Sequence, residues 1–142
     1  MIKELHNILK SGTSHSRKSW FNVGEYKRLP NEVGGKETCP PEEVHKKMKE
    51  LLTHYKGIKA KTLEDIIDFH CKLERIHPFQ DGNGRIGRLI MFKECLRHGT
   101  MPFIIDDKRR SRYLRGIKEW HDDHYELVDV VMEAQDRFEA QI

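Results

Sequence analysis

Apolar residues return every three or four positions along most of this chain, the pattern of helices that bury one face. Residues 2 to 9 predict a short helix, and the Ser/Gly/Thr-rich stretch at 11 to 16 a loop. Between 22 and 39 the helical period is lost, and Pro30-Asn31 and Gly34-Gly35 punctuate a polar segment that suits a β-hairpin. Pro40-Pro41 fit the first turn of a second helix, where an N–H has no intrahelical partner and its loss costs little; Val44, Met48, Leu51, Leu52 and Tyr55 carry that helix to Gly57. Thr62 is placed to cap a third, whose Leu63, Ile66, Ile67, His70, Leu73 and Ile76 form one stripe ending at His77. Ile86, Leu89, Ile90, Met91, Phe92, Cys95 and Leu96 predict a helix buried on most of its faces. Tyr113, Leu114, Ile117 and Trp120 mark another, and Leu127, Val130, Val131, Ala134 and Phe138 the last. There are no repeats and no low-complexity segments.

Composition narrows this picture slightly. A chain of 142 residues is one domain with a single core. Its 26 basic and 23 acidic residues leave a net charge of +3, too balanced to signal a nucleic-acid partner. Cys39, Cys71 and Cys95 are odd in number and lack C-x-x-C spacing, so they read as reduced thiols. No apolar run approaches a membrane span and the N-terminus lacks a signal-peptide core. The expectation is a soluble, cytoplasmic protein with no membrane partner, unless a specialised secretion system exports it.

Chemistry is concentrated in one run, His77-Pro78-Phe79-Gln80-Asp81-Gly82-Asn83-Gly84-Arg85-Ile86-Gly87-Arg88. The helix that begins there presents free backbone N–H groups and the positive end of its dipole to Gly82–Gly84, a place where phosphate is held. Glycines permit positive φ and let an oxyanion approach the main chain. Arg85 and Arg88, three apart on the first turn, offer fork-shaped donors to the same anion, enough for more than one phosphate. An imidazole titrating near ~6.5 makes His77 a general base for a hydroxyl, and the hard carboxylate of Asp81 suits Mg²⁺ shared with substrate phosphates. Each residue alone has a plainer reading: a helix-ending histidine, two turn dipeptides, two surface arginines. No turn requires all of them together, and the set describes phosphoryl or nucleotidyl transfer.

The run resembles the signature of the Fic family, His-x-Phe-x-(Asp/Glu)-Gly-Asn-Gly-Arg-x-x-Arg, with every fixed position present between His77 and Arg88. Val23-Gly24-Glu25-Tyr26-Lys27 resembles the family's Gly-x-aromatic-Arg segment ahead of a hairpin flap, and Arg112-Tyr113 the downstream helix bordering the nucleotide base, so residues 20 to 140 are covered. The resemblance implies an all-α Fic fold, a helical bundle with a small β-hairpin flap (24 to 38) beside the active site. It also implies a protein adenylyltransferase that moves AMP from ATP to a Ser, Thr or Tyr hydroxyl of a target protein. His77 would deprotonate that hydroxyl, and Asp81 would hold Mg²⁺ between the α- and β-phosphates. Gly82, Asn83 and Gly84 would line the phosphate hole, Arg85 would grip the β- and γ-phosphates, Arg88 would reach the γ-phosphate, and Tyr113 would border the base. Phe79 would be a buried anchor. The target would dock in extended form along Asn31 to Lys36 by main-chain pairing. Phosphorylating and phosphocholine-transferring relatives replace Gly82 with Ala, and the phosphorylating ones replace Gly84 with Lys, so both glycines favour AMP transfer.

Two departures stand out. Lys27 replaces the family's arginine after the flap aromatic, keeping charge and losing the fork, with an expected effect on local structure more than on catalysis. The family's inhibitory (Ser/Thr)-x-x-x-Glu-(Gly/Asn) helix is not found, which implies a truncated core or control by a separate inhibitory chain. A regulatory or scaffold Fic domain with little turnover is the alternative reading. Oligomeric state is not legible. His70 reads as a core histidine, His121-Asp122-Asp123-His124 as a polar linker in preference to a metal site, and Lys108–Arg112 as a solvated helix face.

Overall fold

The computed structural model of the protein describes residues 1–10, 24–33 and 35–142. The described chain runs α1 (Ile2–Lys10), β1 (Glu32–Val33), β2 (Lys36–Glu37), α2 (Pro41–Lys56), α3 (Leu63–Ile76), α4 (Asn83–Arg97), α5 (Asp107–Glu119) and α6 (Tyr125–Ala140). It is all-α with one small antiparallel hairpin, as the resemblance implied. The loop expected at 11 to 16, positions 22 and 23 of the expected hairpin segment, and Gly34 within the docking strip lie outside the described residues. Among the described residues no helix is long and apolar enough to cross a membrane.

Two compact units are present, Met1–Lys59 with Lys72–Ile90, and Ala60–Cys71 with Met91–Ile142. In the first, Val44, Met48, Leu51 and Tyr55 are the buried stripe of α2, as their spacing required, and Pro41 occupies its first turn. The hairpin pairs Glu32 with Glu37 and Val33 with Lys36, and all four are exposed. Gly35 turns it with φ 80°, a conformation side chains oppose.

In the second unit, α3 starts on a reciprocal cap. Asp65 N–H donates to Thr62 Oγ1 at 3.2 Å, while Thr62 N–H and hydroxyl donate to Asp65 Oδ2 at 2.9 and 3.0 Å. Ile66, Ile67, Cys71, Cys95, Phe103, Trp120, Leu127, Val130 and Val131 belong to one core cluster. Helices α5 and α6 form an antiparallel pair: Arg112 bridges to Asp129 and Glu133 at 3.0 and 2.6 Å, and Arg115 to Glu126. The basic run thus lies on a helix face, two of its arginines paired within the chain (Arg109 with Asp106 at 2.8 Å). His121–His124 forms the connection, with His124 stacked on Trp120 at 3.6 Å. Two residues past α4, Gly99 (φ 69°) turns the chain, and Thr100 N–H reaches back to Cys95 C=O at 2.9 Å.

The structure corrects the expectation for α4. Leu89 and Leu96 are 50% and 60% exposed. Apolar positions run all round this helix, but the chain covers only part of its circumference.

Gly116 sets the closeness of α5 to α6: a Cβ there would lie 2.8 Å from Leu127 Cβ and 3.0 Å from its Cα. Helix propensity alone favours alanine by about 1 kcal/mol, whereas overpacking against a neighbouring backbone costs about 1–3 kcal/mol. Gly116→Ala is therefore expected to lower unfolding free energy by up to about 2 kcal/mol in urea titration; a gain would show that the helices separate freely.

Candidate active site

The site is built where α3 stops. His77 N–H still bonds Leu73 C=O at 3.0 Å, but Pro78 follows, and the right-handed helical region is disfavoured for the residue before a proline. His77 leaves the helix with φ 51°, the one positive φ found on a non-glycine among the described residues. Such a conformation costs on the order of 1–3 kcal/mol and persists only where its surroundings hold it.

The surroundings are specific. Phe79 is fully buried. Its N–H donates to Asn83 Oδ1 at 2.8 Å, and Asn83 Nδ2 donates back to Phe79 C=O at 2.7 Å. One amide side chain thereby closes the turn, which leaves the backbone N–H of the 4% exposed Asn83 as the group it could offer a ligand. Gly82 follows with φ 85°, and its carbonyl takes the first helical bond of α4, from Ile86 N–H at 3.0 Å. The N–H groups of Asn83, Gly84 and Arg85 precede that bond and have no helical carbonyl to meet. A Cβ on Gly84 would come 3.0 Å from Arg88 Nη1, so the guanidinium lies over the first turn, beside those N–H groups. Arg85 and Asp81 are exposed. The result is an open anion cradle: helix N-terminus, dipole and guanidinium on one side, histidine at the mouth of the turn.

A second layer ties the turn to the root of the hairpin. Lys27 N–H donates to Pro78 C=O at 2.8 Å, Asn31 Nδ2 to Phe79 C=O at 2.9 Å, and Leu29 N–H to Gln80 Oε1 at 3.2 Å, with Gln80 Nε2 returning to Leu29 C=O at 3.2 Å. His6, fully buried on α1, lies within 2.8 Å of the Asp81 carbonyl through Nε2, and its Nδ1 accepts Gly24 N–H at 2.9 Å. A carbonyl only accepts and an N–H only donates, so these partners fix the neutral tautomer with its proton on Nε2. The ring also stacks on Phe79 at 4.0 Å, 4° from parallel.

Charge completes the arrangement. The His77 imidazole titrates below its ordinary 6.5, chiefly because burial disfavours the cation and then because Lys27 is cationic; the Glu74 carbonyl and Asp81 oppose this. Nδ1 nonetheless makes no hydrogen bond of full geometry among the described residues, so the Glu74 carbonyl acts as a dipole at the ring more than as a partner. Glu74, one turn earlier, is pushed by burial up to about 7, against the pull of Arg88, and its Oε1 is buried without a partner among the described residues. Arg88 forms no ion pair among the described residues.

The structure thus brings together His77, Asp81, Gly82, Asn83, Gly84, Arg85 and Arg88. Tyr113 is 2% exposed in the other unit's core, with its hydroxyl 2.6 Å from His70 Nε2. This gives His70 the core role its stripe implied. Sequence reasoning missed His6 and Glu74, and took Lys27 for a minor departure. A histidine on a short amphipathic helix and a glutamate within a helical stripe carry no signal of where they point.

A model of the Fic/DOC family matches residues 1–95. Two proteins named protein adenylyltransferase Fic, from Drosophila melanogaster and Drosophila sechellia, are each 35% identical over 98 residues, 67% of this chain and 20% of the fly protein. The chain therefore spans a fifth of these relatives' length. A Fic domain containing signaling protein from Bacteroides thetaiotaomicron superposes with a TM-score of 0.72 at 29% identity, over 96% of this chain and 57% of that one. The BepC effector protein of Bartonella tribocorum, solved with bound AMPPNP, superposes with a TM-score of 0.64 at 17% identity, over 93% of this chain and 73% of that one, a likeness of fold alone.

Glu74 sets a pH dependence of stability. Its acid is held above the ordinary 4.5, to about 7, so the folded state binds the proton more tightly than the unfolded chain and stability falls as pH rises across that interval. The interval corresponds to roughly 3 kcal/mol at most. Between about pH 5 and about pH 8 the wild type should lose on the order of 2–3 kcal/mol relative to Glu74→Gln in denaturant titration. Parallel pH profiles would show that the carboxyl is not desolvated.

Proposed function

The chain belongs to the Fic/DOC family, and from that premise we propose that it transfers AMP from ATP to a hydroxyl of a protein target. The observation that carries this reading is the placement of an anion cradle and a base on one turn: the N–H groups of 83–85 and the Arg88 guanidinium face where phosphates would sit, with His77 six residues before Asn83. The fly relatives' name as adenylyltransferases and the AMPPNP bound to the Bartonella protein support the nucleotide and the reaction.

In this mechanism the β- and γ-phosphates rest on the first turn of α4, Arg85 and Arg88 take their charge, and Gly82 and Gly84 leave room for oxygens at the main chain. His77, kept neutral by burial and by Lys27, accepts the proton of the target hydroxyl. The hydroxyl oxygen bonds to the α-phosphorus, the bond from that phosphorus to the bridging oxygen breaks, and pyrophosphate leaves while the target keeps AMP. Asp81, an exposed carboxylate next to the cradle, suits Mg²⁺, with substrate phosphates supplying the other oxygen ligands. Bound there, Mg²⁺ would neutralise phosphate charge during transfer. The target lies extended along Asn31 to Lys36, where exposed strand edges offer main-chain partners. An acidic group that pairs with Arg88, supplied by a segment outside this sequence or by a separate chain, would compete with the γ-phosphate and so control transfer.

The test is incubation of the protein with α-labelled ATP, Mg²⁺ and cell lysate. Label should enter protein with the wild type, and His77→Ala should transfer about 10²–10⁴-fold more slowly while binding ATP within a few-fold. The acid limb of the wild-type pH–rate profile should lie below the ordinary 6.5. A wild type that binds ATP but labels nothing would favour the regulatory or scaffold reading, and full activity in His77→Ala would remove the base.

A further inference from the structure

Lys27 is 3% exposed, an unusual place for an ammonium, which is costly to bury unless every donor is met. It has three N–H donors and three acceptors: Asn31 Oδ1 at 2.7 Å, Thr38 Oγ1 at 2.7 Å and Ile76 C=O at 3.3 Å. Asn31 and Thr38 flank the hairpin on its two sides, and they are also joined directly, Thr38 N–H and hydroxyl each reaching Asn31 C=O at 3.2 Å. The ammonium therefore closes the mouth of the hairpin. Ile76 is the residue before His77, and the Lys27 backbone N–H holds Pro78, the residue after it, at 2.8 Å. One residue grips the carbonyls on both sides of the proposed base, and with the same side chain grips both ends of the flap.

We propose that Lys27 is a positioning residue that couples the flap to the catalytic turn, so that a target strand on the hairpin is registered against His77. The proposal rests on the transfer reading above. A hydroxyl carried by a docked strand must arrive within hydrogen-bond reach of His77 and in line with the α-phosphorus, and a misplacement of about 1 Å can cost on the order of 10²-fold. Nucleotide binding, which uses the start of α4, does not need the flap. The coupling is thus expected to show in transfer and not in ATP affinity.

The experiment compares wild type, Lys27→Met, Lys27→Arg and Thr38→Val by three readouts: ATP–Mg²⁺ affinity by calorimetry, transfer of labelled AMP to lysate proteins, and amide exchange. Lys27→Met should bind ATP within about threefold of wild type and transfer at least ~10-fold more slowly, with Lys27→Arg recovering part of the loss. Thr38→Val, which removes one acceptor at the flap and leaves the buried charge in place, should move the same way by a smaller factor. Exchange should quicken at the Thr38 and His77 amides together in both variants, while the Met48 amide in α2 stays unchanged. Wild-type transfer in Lys27→Met and Thr38→Val, exchange that quickens at Thr38 but not at His77, or equal quickening at Met48 would each overturn the proposal. Should Lys27→Met fail to fold, Thr38→Val decides alone. A wild type that transfers no label would sink the transfer reading, and the paired exchange at Thr38 and His77 would still decide whether the coupling exists.

Discussion

The turn from His77 to Gly82 cannot hold its own shape, and most of the site's architecture follows from that. It carries a histidine at φ 51° and a glycine at φ 85°, with the proposed base at one end and a helix N-terminus at the other. Its carbonyls are therefore held from outside the turn. Ile76 and Pro78 are gripped by Lys27, Phe79 by Asn31 and Asn83, and Asp81 by His6. Each of these is a neutral or charge-assisted bond worth about 1 kcal/mol or somewhat more net, so together they exceed the local strain of a few kcal/mol. The flap root and α1 thus form part of the frame that shapes the candidate site.

Electrostatics follow the same plan. Burial strips solvent from His77, Glu74 and Lys27, and in each case the neutral form gains. For His77 that form is the one a base needs. For Lys27 three acceptors retain the charge, which in turn disfavours a second cation on His77. Glu74 has a carboxyl oxygen buried without a partner among the described residues, and burial raises its acid against the pull of Arg88.

Legibility in the sequence tracked how local the physics is. The Thr62–Asp65 cap, the prolines opening α2, the hairpin glycine and the turn at Gly82 depend on a few consecutive residues, and their sequence signals matched the structure. Asn83 was read as part of the phosphate hole; that its amide closes the turn depends on a four-residue reach that spacing alone does not reveal. Lys27, His6 and Glu74 depend on contacts or fields across the fold, and a polar residue in a polar segment gives no sign of burial. Helix α4 departed for the opposite reason: its apolar spacing predicts burial on most faces and includes Leu89 and Leu96, yet these two are exposed.

The most direct test of the whole account is to follow backbone amide resonances while ATP and Mg²⁺ are added. If phosphates are held by the start of α4, the largest shifts should fall on Gly82, Asn83, Gly84 and Arg85, with the His77 ring signal moving at the same nucleotide concentration. Shifts centred on α5 and α6, with those four amides still, would contradict it.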